Sequence, residues 1–447
     1  MLGSAAGESS SGTFDLESAE GKSEGRTTES WAKTLARNPA IKNKIKNETR
    51  PIGGKLISDR DSSISPLLKI QNKITEPLNT PLPEQLATQI RKSGPIPFHD
   101  FMEQALYHPD YGFYTSGNHR TGKKGDFMTP VSAGPVLGEL LARQIHEFDQ
   151  ALQQPPTIRL VEQGADQGWL ACDVLTAMRR QHPDLFPRVK LHLIEPFPRL
   201  KKTQGVCLEA AEFKNNVQWH SSWSTMPRDD TATFFYSCEL VDSFPVRIFC
   251  YRNGAWREQC VGLGGTGFIW QEDGIDVETA AMIRHWSPPE VEGFTVEIRP
   301  GTTPWLEGWA RRISQGLVLI LDYGYSAMEL FSPARAGGTL VAMRDHQRST
   351  HSLAEPGQQD LTAHVNFTEL EESAAREGWK NYGLVDFARG CTALAAPLLR
   401  EDKKPSDPWI RNFRHLTHPT LFGQTHKILV QGKGLPETFQ PAMLRKI

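Results

Sequence analysis

The sequence predicts an α/β fold organised around a mostly parallel sheet. Short apolar runs at 158–162, 189–195, 233–238 (T-F-F-Y-S-C) and 317–322 (L-V-L-I-L-D) read as buried strands. Helical patterning lies between them, notably at 170–180, and strand–helix alternation is the signature of a parallel sheet. The runs also end at acidic residues or glycine turns, with Glu162, Glu195, Glu239 and Asp322 at or just past their ends. Open α/β sheets place ligands at that carboxyl edge.

The 447 residues suit one large core with insertions, or two domains. Only 38% are apolar, low for a compact protein, and the deficit sits at the N-terminus. Residues 1–30 are rich in Ser, Gly and Glu, and 31–60 are basic. Such a segment cannot bury enough surface to offset the entropy of ordering, so 1–80 is expected to be a disordered tail. Order is expected from Pro81. Leu82, Leu86 and Ile90 suit one helix face, and Phe98, Phe101, Met102 and Ala105 a second helix that Pro109 ends. A Gly- and Lys-rich loop at 115–129 is expected to act as a mobile lid, and a helix follows at 135–148.

This N-terminal helical and lid region, 81–155, leads into a core expected at 156–245 and 315–435. Between the core segments, 246–314 breaks the rhythm. V-R-I-F-C-Y-R-N-G-A-W-R-E reads as a hairpin around Asn253-Gly254, so an inserted β-rich subdomain partly covering the site is expected. Late in the chain, 367–377 reads as a helix and 426–430 as a closing strand.

The net charge of −2 supports neither a nucleic-acid nor a membrane-surface role. The longest apolar run, near 317–321, is far too short to cross a bilayer, so no membrane insertion is expected. No apolar signal core follows Met1, and Glu8, Asp15, Glu17 and Glu20 make the start unlike a mitochondrial transit peptide. None of the six cysteines forms a C-x-x-C pair, so no metal is expected. Reduced thiols suit a soluble protein, and a cytoplasmic location is the expectation.

Five motifs could carry chemistry. In L-V-E-Q-G-A-D-Q-G-W-L (160–170) a strand ends at Glu162 and a turn carries Gly164, Asp166 and Gly168 before a helix. Glycine lets backbone approach a ligand, and the helix's first amides then face it. A dinucleotide turn would need G-x-G-x-x-G for its pyrophosphate; here Asp166 takes the middle glycine position and the third glycine is missing. Glu195, one strand later, suits ribose hydroxyls, a device that NAD enzymes share. In S-C-E-L-V-D-S-F-P (237–245), Glu239 and Asp242 could bind a cation such as a guanidinium. L-D-Y-G-Y (321–325) marks a further strand end. D-L-T-A-H-V-N-F (360–367) offers His364 as a base or substrate contact, with His346 upstream.

Taken in order, these motifs resemble the MidA-like family of protein arginine methyltransferases, which includes the mitochondrial complex I assembly methyltransferases. L-Y-H-P-D-Y-G-F-Y (106–114) and G-D-F-M-T (125–129) belong to the same pattern, which runs over about 85–390. The resemblance implies a Rossmann-like class I methyltransferase core with S-adenosylmethionine as cofactor. It also implies a protein substrate, of respiratory-complex-subunit type, methylated on arginine. The resemblance implies cofactor roles for Gly164, Gly168 and Glu195 and site roles for Asp126, Glu239, Asp242, Asp322 and His364. With the turn's own carboxylates, Glu162, Gly164, Asp166, Gly168, Glu195 and Asp126 are the expected cofactor residues. Glu239, Asp242 and His364 are the expected catalytic ones, with Asp322 beside them. The chain departs from the family's E-x-G-P-G-x-G at Ala165 and Asp166, and has Ser237-Cys238 where an Ala-Asn pair normally precedes the glutamate. Two other readings stand beside it: a non-catalytic assembly or binding protein on the same scaffold, and an NAD-linked oxidoreductase.

Overall fold

The computed structural model describes residues 81–117, 128–401 and 405–446. The expected tail at 1–80, most of the expected lid, and Asp126 lie outside the described residues.

The central sheet is built from β1 (Ile158–Gln163), β2 (Val189–Ile194), β3 (Val217–His220), β4 (Thr233–Cys238), β5 (Gly316–Tyr325), β6 (Lys380–Asp386) and β7 (His426–Lys433). Its order is β6-β7-β5-β4-β1-β2-β3. Neighbours from β5 to β3 pair in parallel, and β7 alone runs antiparallel to both strands beside it. The predicted α/β class with a mostly parallel sheet is therefore observed. The chain winds outward from β1 to β3 and then returns to β4 on the other side of β1. That reversal opens a crevice past the carboxyl ends of β1 and β4.

The strands read as unbroken apolar runs because helices cover both faces. Successive side chains point to opposite faces. Leu160, Phe234, Tyr236, Leu317, Leu319 and Leu321 join the apolar cluster on one side. Val161, Phe235, Val318 and Ile320 join Trp309 and Leu370 on the other.

Helices α1 (Leu82–Ser93), α2 (Phe98–Tyr107), α3 (Val136–Ala151), α4 (Trp169–Gln181) and α5 (Pro198–Ala210) precede or follow the first strands. α3 and α4 approach closely: a Cβ at Gly138 would lie 2.4 Å from the Asp173 side chain, so only glycine fits there.

Residues 246–298 contribute four antiparallel strands, Arg247–Arg252, Ala255–Gly264, Gly267–Asp273 and Thr295–Ile298. The hairpin turn falls at Asn253 and Gly254, with φ of +50° and +78°, as the Asn-Gly pair predicts. Ile96 and Pro97 add a short edge strand by pairing with Val261 and Cys260. α1, α2 and this sheet share one apolar cluster that includes Leu86, Phe101, Val246 and Val261. The N-terminal helices and the insertion thus pack as one cover beside the sheet's carboxyl edge. Among the described residues, no helix is long and apolar enough to cross a membrane.

Candidate functional site

The turn after β1 is held open by its backbone. Gly164 and Gly168 both have φ of +80°, a conformation that favours glycine, and Gly168 caps α4 with no side-chain cap bond. The amide of Gly168 donates to the carbonyl of Ala165 at 2.6 Å, closing the turn. Asp166 sits between them at φ +42°. Aspartate visits the left-handed region more readily than most side chains, so the turn keeps its shape without a middle glycine. Leu240 lies against Gly164, 3.2 Å from where a Cβ would stand. The loop carrying Glu239 and Asp242 is thereby packed directly on the glycine turn.

Glu195 follows β2 and is buried. Its carboxylate accepts from the amide of Phe197 at 2.9 Å and from Nε2 of Gln204 at 2.8 Å. Gln204, on α5, also reaches the carbonyl of Asp166 at 3.3 Å and accepts from the Trp219 indole at 3.0 Å. One glutamine therefore ties the acidic strand end to the glycine turn. Glu162 sits beneath the turn, where the buried Tyr236 hydroxyl donates to it at 2.9 Å. Burial pushes Glu195 up to about 7 and Glu162 to about 8.

Glu239 and Asp242 emerge together past β4. Glu239 holds a φ of +49°, a strained setting for a residue with a Cβ, and its amide donates to the carbonyl of Leu321 at 2.8 Å. Its Oε1 meets Nε2 of His426 at 2.7 Å. The Tyr323 hydroxyl and the Ser243 amide face the Asp242 carboxyl and favour its charged form, while burial, the larger effect, raises it. Its Oδ1 is buried without a hydrogen-bond partner among the described residues. Burial first, and then Asp242, hold the Glu239 carboxyl well above the ordinary carboxylate range.

Asp322, expected among the site residues, lies under the loop that carries Glu239 and Asp242. Its Oδ2 accepts from the amides of Leu240, Val241 and Asp242 at 3.2, 2.9 and 3.3 Å, and its Oδ1 from Tyr323 at 2.9 Å. It is the cap that shapes the loop, which leaves Asp242 unneeded as one. His364 has its ring against Tyr323 and Tyr325, 5.7 and 5.3 Å between centroids. Burial lowers it to about 4, so it is neutral. His346 is exposed in a hairpin turn with φ +61°, apart from this cluster.

Sequence reading missed four residues that organise the site. Arg299, 4% exposed, donates to the carbonyls of His364 (2.6 Å), Asp242 (3.3 Å) and Ala363, and faces Asp242 and Asp322. Tyr323 joins Asp242, His364 and His426. Gln204 and His426 complete the set. Tyr107 and Tyr114, inside the L-Y-H-P-D-Y-G-F-Y motif, close over the same edge. Tyr107 bonds the Ser243 hydroxyl at 2.7 Å, and Tyr114 donates to Asp360 at 2.6 Å.

The buried acids make stability fall on the alkaline side. Glu162, Glu195 and Glu369 are raised from 4.5 to about 8, 7 and 7, each chiefly by burial. Above pH 6.5 the unfolded chain has ionised all three, while the folded protein still holds protons on them. The folded state binds more protons, so stability drops as pH rises through 7 to 8. His182, His192, His364 and His426, lowered to about 4, oppose this at the start of the range, because their unfolded counterparts are half protonated at about pH 6.5. That opposition fades as pH rises above about 7, while the carboxyl effect continues to about 8. Thermal melts of cofactor-free protein should show Tm falling from pH 6.5 to 8.5. A Tm that rises across that range would contradict this assignment.

Residues 140–385 match the family described as "Putative S-adenosyl-L-methionine-dependent methyltransferase". The chain is 27% identical over 323 residues to the mitochondrial protein arginine methyltransferase NDUFAF7 of Danio rerio, covering 66% of this chain and 72% of that one. It is 26% identical over 327 residues to the Homo sapiens protein of the same name, covering 66% and 69%. A crystal structure from Burkholderia thailandensis bound to S-adenosyl-homocysteine aligns with a TM-score of 0.72 at 25% identity, covering 81% of this chain and 94% of that one. The relatives from Danio rerio and Homo sapiens are mitochondrial, which overturns the expectation of a cytoplasmic location.

Proposed function

The chain belongs to the S-adenosyl-L-methionine-dependent methyltransferases, and from that membership we propose that it methylates arginine in a protein partner, with Glu239 and Asp242 receiving the guanidinium. Its cofactor is S-adenosylmethionine, so the NAD-linked and non-catalytic readings fall away. The residues suit that cofactor. Gly164 and Gly168 keep the turn clear of side chains, the uncapped start of α4 offers amides to a carboxylate, and Glu195 is fixed for ribose hydroxyls. Asp166 brings negative charge toward a cationic ligand.

The observation that carries the arginine reading is the packing of Leu240 on Gly164. It joins the acidic loop to the cofactor turn, so a donor on that turn has Glu239 and Asp242 for neighbours. When bound, the cofactor supplies an electrophilic methyl: the N–C bond forms as the C–S bond breaks, and that bond's electron pair stays on sulfur. Glu239 and Asp242 hold the acceptor's planar fork and draw its positive charge away from the attacking nitrogen. The nitrogen's proton then leaves through Glu239. Positioning of this kind supplies most of the acceleration in an in-line transfer. Arginine methyltransferase names among the relatives support the same acceptor, and a subunit of respiratory-complex type is the partner this reading favours.

The test is methyl-labelled cofactor with isolated respiratory-complex subunits, followed by hydrolysis and amino-acid analysis. Label in methylarginine is expected. Label confined to methyllysine, or to small molecules, would overturn the arginine reading.

A further inference from the structure

His426 opens β7, and its ring is boxed by Tyr323, Phe387 and Phe422 at 5.3, 6.0 and 5.3 Å between centroids. Among the described residues its two nitrogens have one polar partner each: Nδ1 lies 2.9 Å from the Thr425 hydroxyl, and Nε2 lies 2.7 Å from Glu239 Oε1. The hydrogens in this chain can be counted. The Thr425 hydroxyl donates to the carbonyl of Leu421 at 2.7 Å, and a carbonyl only accepts. A hydroxyl has one hydrogen, so toward His426 it can only accept. Nδ1 therefore carries a proton. At 2.7 Å, Nε2 and Oε1 cannot both be bare, since two lone pairs would face each other in a buried site. One proton lies between them.

We propose that His426 is a positioning residue of the methyl-transfer site: it shares one proton with Glu239, turns Oε2 of that carboxyl toward the acceptor, and takes the shared proton when a cation docks. The proposal rests on Glu239 receiving the guanidinium. In the resting protein the proton belongs to Glu239. Burial pushes that carboxyl up and lowers His426 to about 4, so both partners are neutral. The groups around the pair are Asp242, Asp322, Cys238 and Tyr323, with Arg299 and His364 beyond them.

A guanidinium arriving against the pair reverses the preference. The proton crosses from Oε1 to Nε2, leaving a carboxylate toward the substrate and an imidazolium behind it, with no change in the pair's net charge. Methyl transfer then releases one proton from nitrogen onto Oε2. The pair now holds two protons, and loss of one to solvent restores the resting state.

Two measurements test this. The first is histidine 15N NMR of the wild-type complex with S-adenosylhomocysteine, before and after addition of N-acetyl-arginine amide as the cationic probe. His426 should carry its proton on Nδ1 at rest and gain one on Nε2 with the probe. A resting proton on Nε2 with Nδ1 bare, or no change with saturating probe, overturns the proposal.

The second is the pH–rate profile of His426→Phe and His426→Gln, each first shown to bind S-adenosylhomocysteine. Both should lower kcat at least about tenfold with little change in KM for the cofactor. The acid limb should move up by about one pH unit or more in His426→Phe. It should move less in His426→Gln, whose amide can still donate to the carboxylate. Unchanged profiles in both sink the proposal. If neither variant folds, the wild-type NMR decides it. Glu239→Gln, run beside them, separates the two ideas: wild-type activity there rejects the acceptor role of Glu239, while an inactive Glu239→Gln with unaltered His426 profiles rejects only the role of His426.

Discussion

Replacing Glu239 by glutamine is expected to lower methyl transfer by about 10²-fold or more, the range for removing one preorganised electrostatic contact. Affinity for S-adenosylhomocysteine should be retained. The two expectations separate because Glu239 lies past β4, while the glycine turn and Glu195 belong to β1 and β2. Glutamine matches the carboxyl in shape and can still bond His426, so the fold should tolerate it. It cannot become a carboxylate, and so it cannot neutralise a guanidinium. Asp242→Asn is the companion. Its Oδ1 is buried and unpartnered among the described residues, and Asp322, not Asp242, caps the loop. A loss of activity without loss of stability is the expected outcome for it. If both variants methylate at the wild-type rate, the acidic pair has no part in the reaction.

Arg299→Met is expected to be the most destabilising single change near the site, by about 3–5 kcal/mol, the cost of breaking a buried charge arrangement from one side. The guanidinium is buried, and it serves three carbonyls from two segments of the chain. Its removal leaves those carbonyls without their donor and leaves Asp242 and Asp322 facing each other without a cation. Burial already raises both carboxyls, Asp322 well above its ordinary value, and losing Arg299 would drive them further up. Arg299→Lys should recover only part of the stability, because an ammonium cannot span three acceptors as a planar fork does. Urea unfolding of the three proteins measures the effect. A Met variant within 1 kcal/mol of wild type, an allowance on the scale of ordinary surface substitutions, would show that Arg299 is not the clamp.

The sheet was legible where its strands were apolar on both faces. The run 317–322 is flanked by helices on either side, so every residue had a reason to be apolar, and the structure extends it to Gly316–Tyr325. β6 was not legible. Lys380–Asp386 carries Gly383 and a register shift beside it, and all but one of its residues are exposed or half-buried, so neither periodicity nor apolarity marks it. The helices at Pro198–Ala210 and Asp407–Thr417 were missed as well.

The candidate site was legible in the same proportion. Glu195 and Glu239 stood out because a carboxylate just past an apolar strand is conspicuous. Arg299 and His426 did not, since each looks like an ordinary member of a strand or its end. Their importance comes from contacts 57 and 187 residues away, which no local pattern encodes. Asp322 was noticed for its position but its use was not, because only the folded loop reveals three amides converging on one oxygen.

The placement of β7 has a consequence for how the protein is made. It is the last of the seven strands to be synthesised, yet it takes an inner berth between β5 and β6 and delivers His426 to Glu239. While the ribosome still holds that segment, β6 has no neighbour to pair with and β5 presents an open edge. Helices and the β1–β5 half can assemble during translation, since domains generally fold as they emerge. The sheet itself closes only once β7 has emerged. Chains cut short before β7 are therefore expected to expose a strand edge, the kind of species that chaperones and proteases intercept.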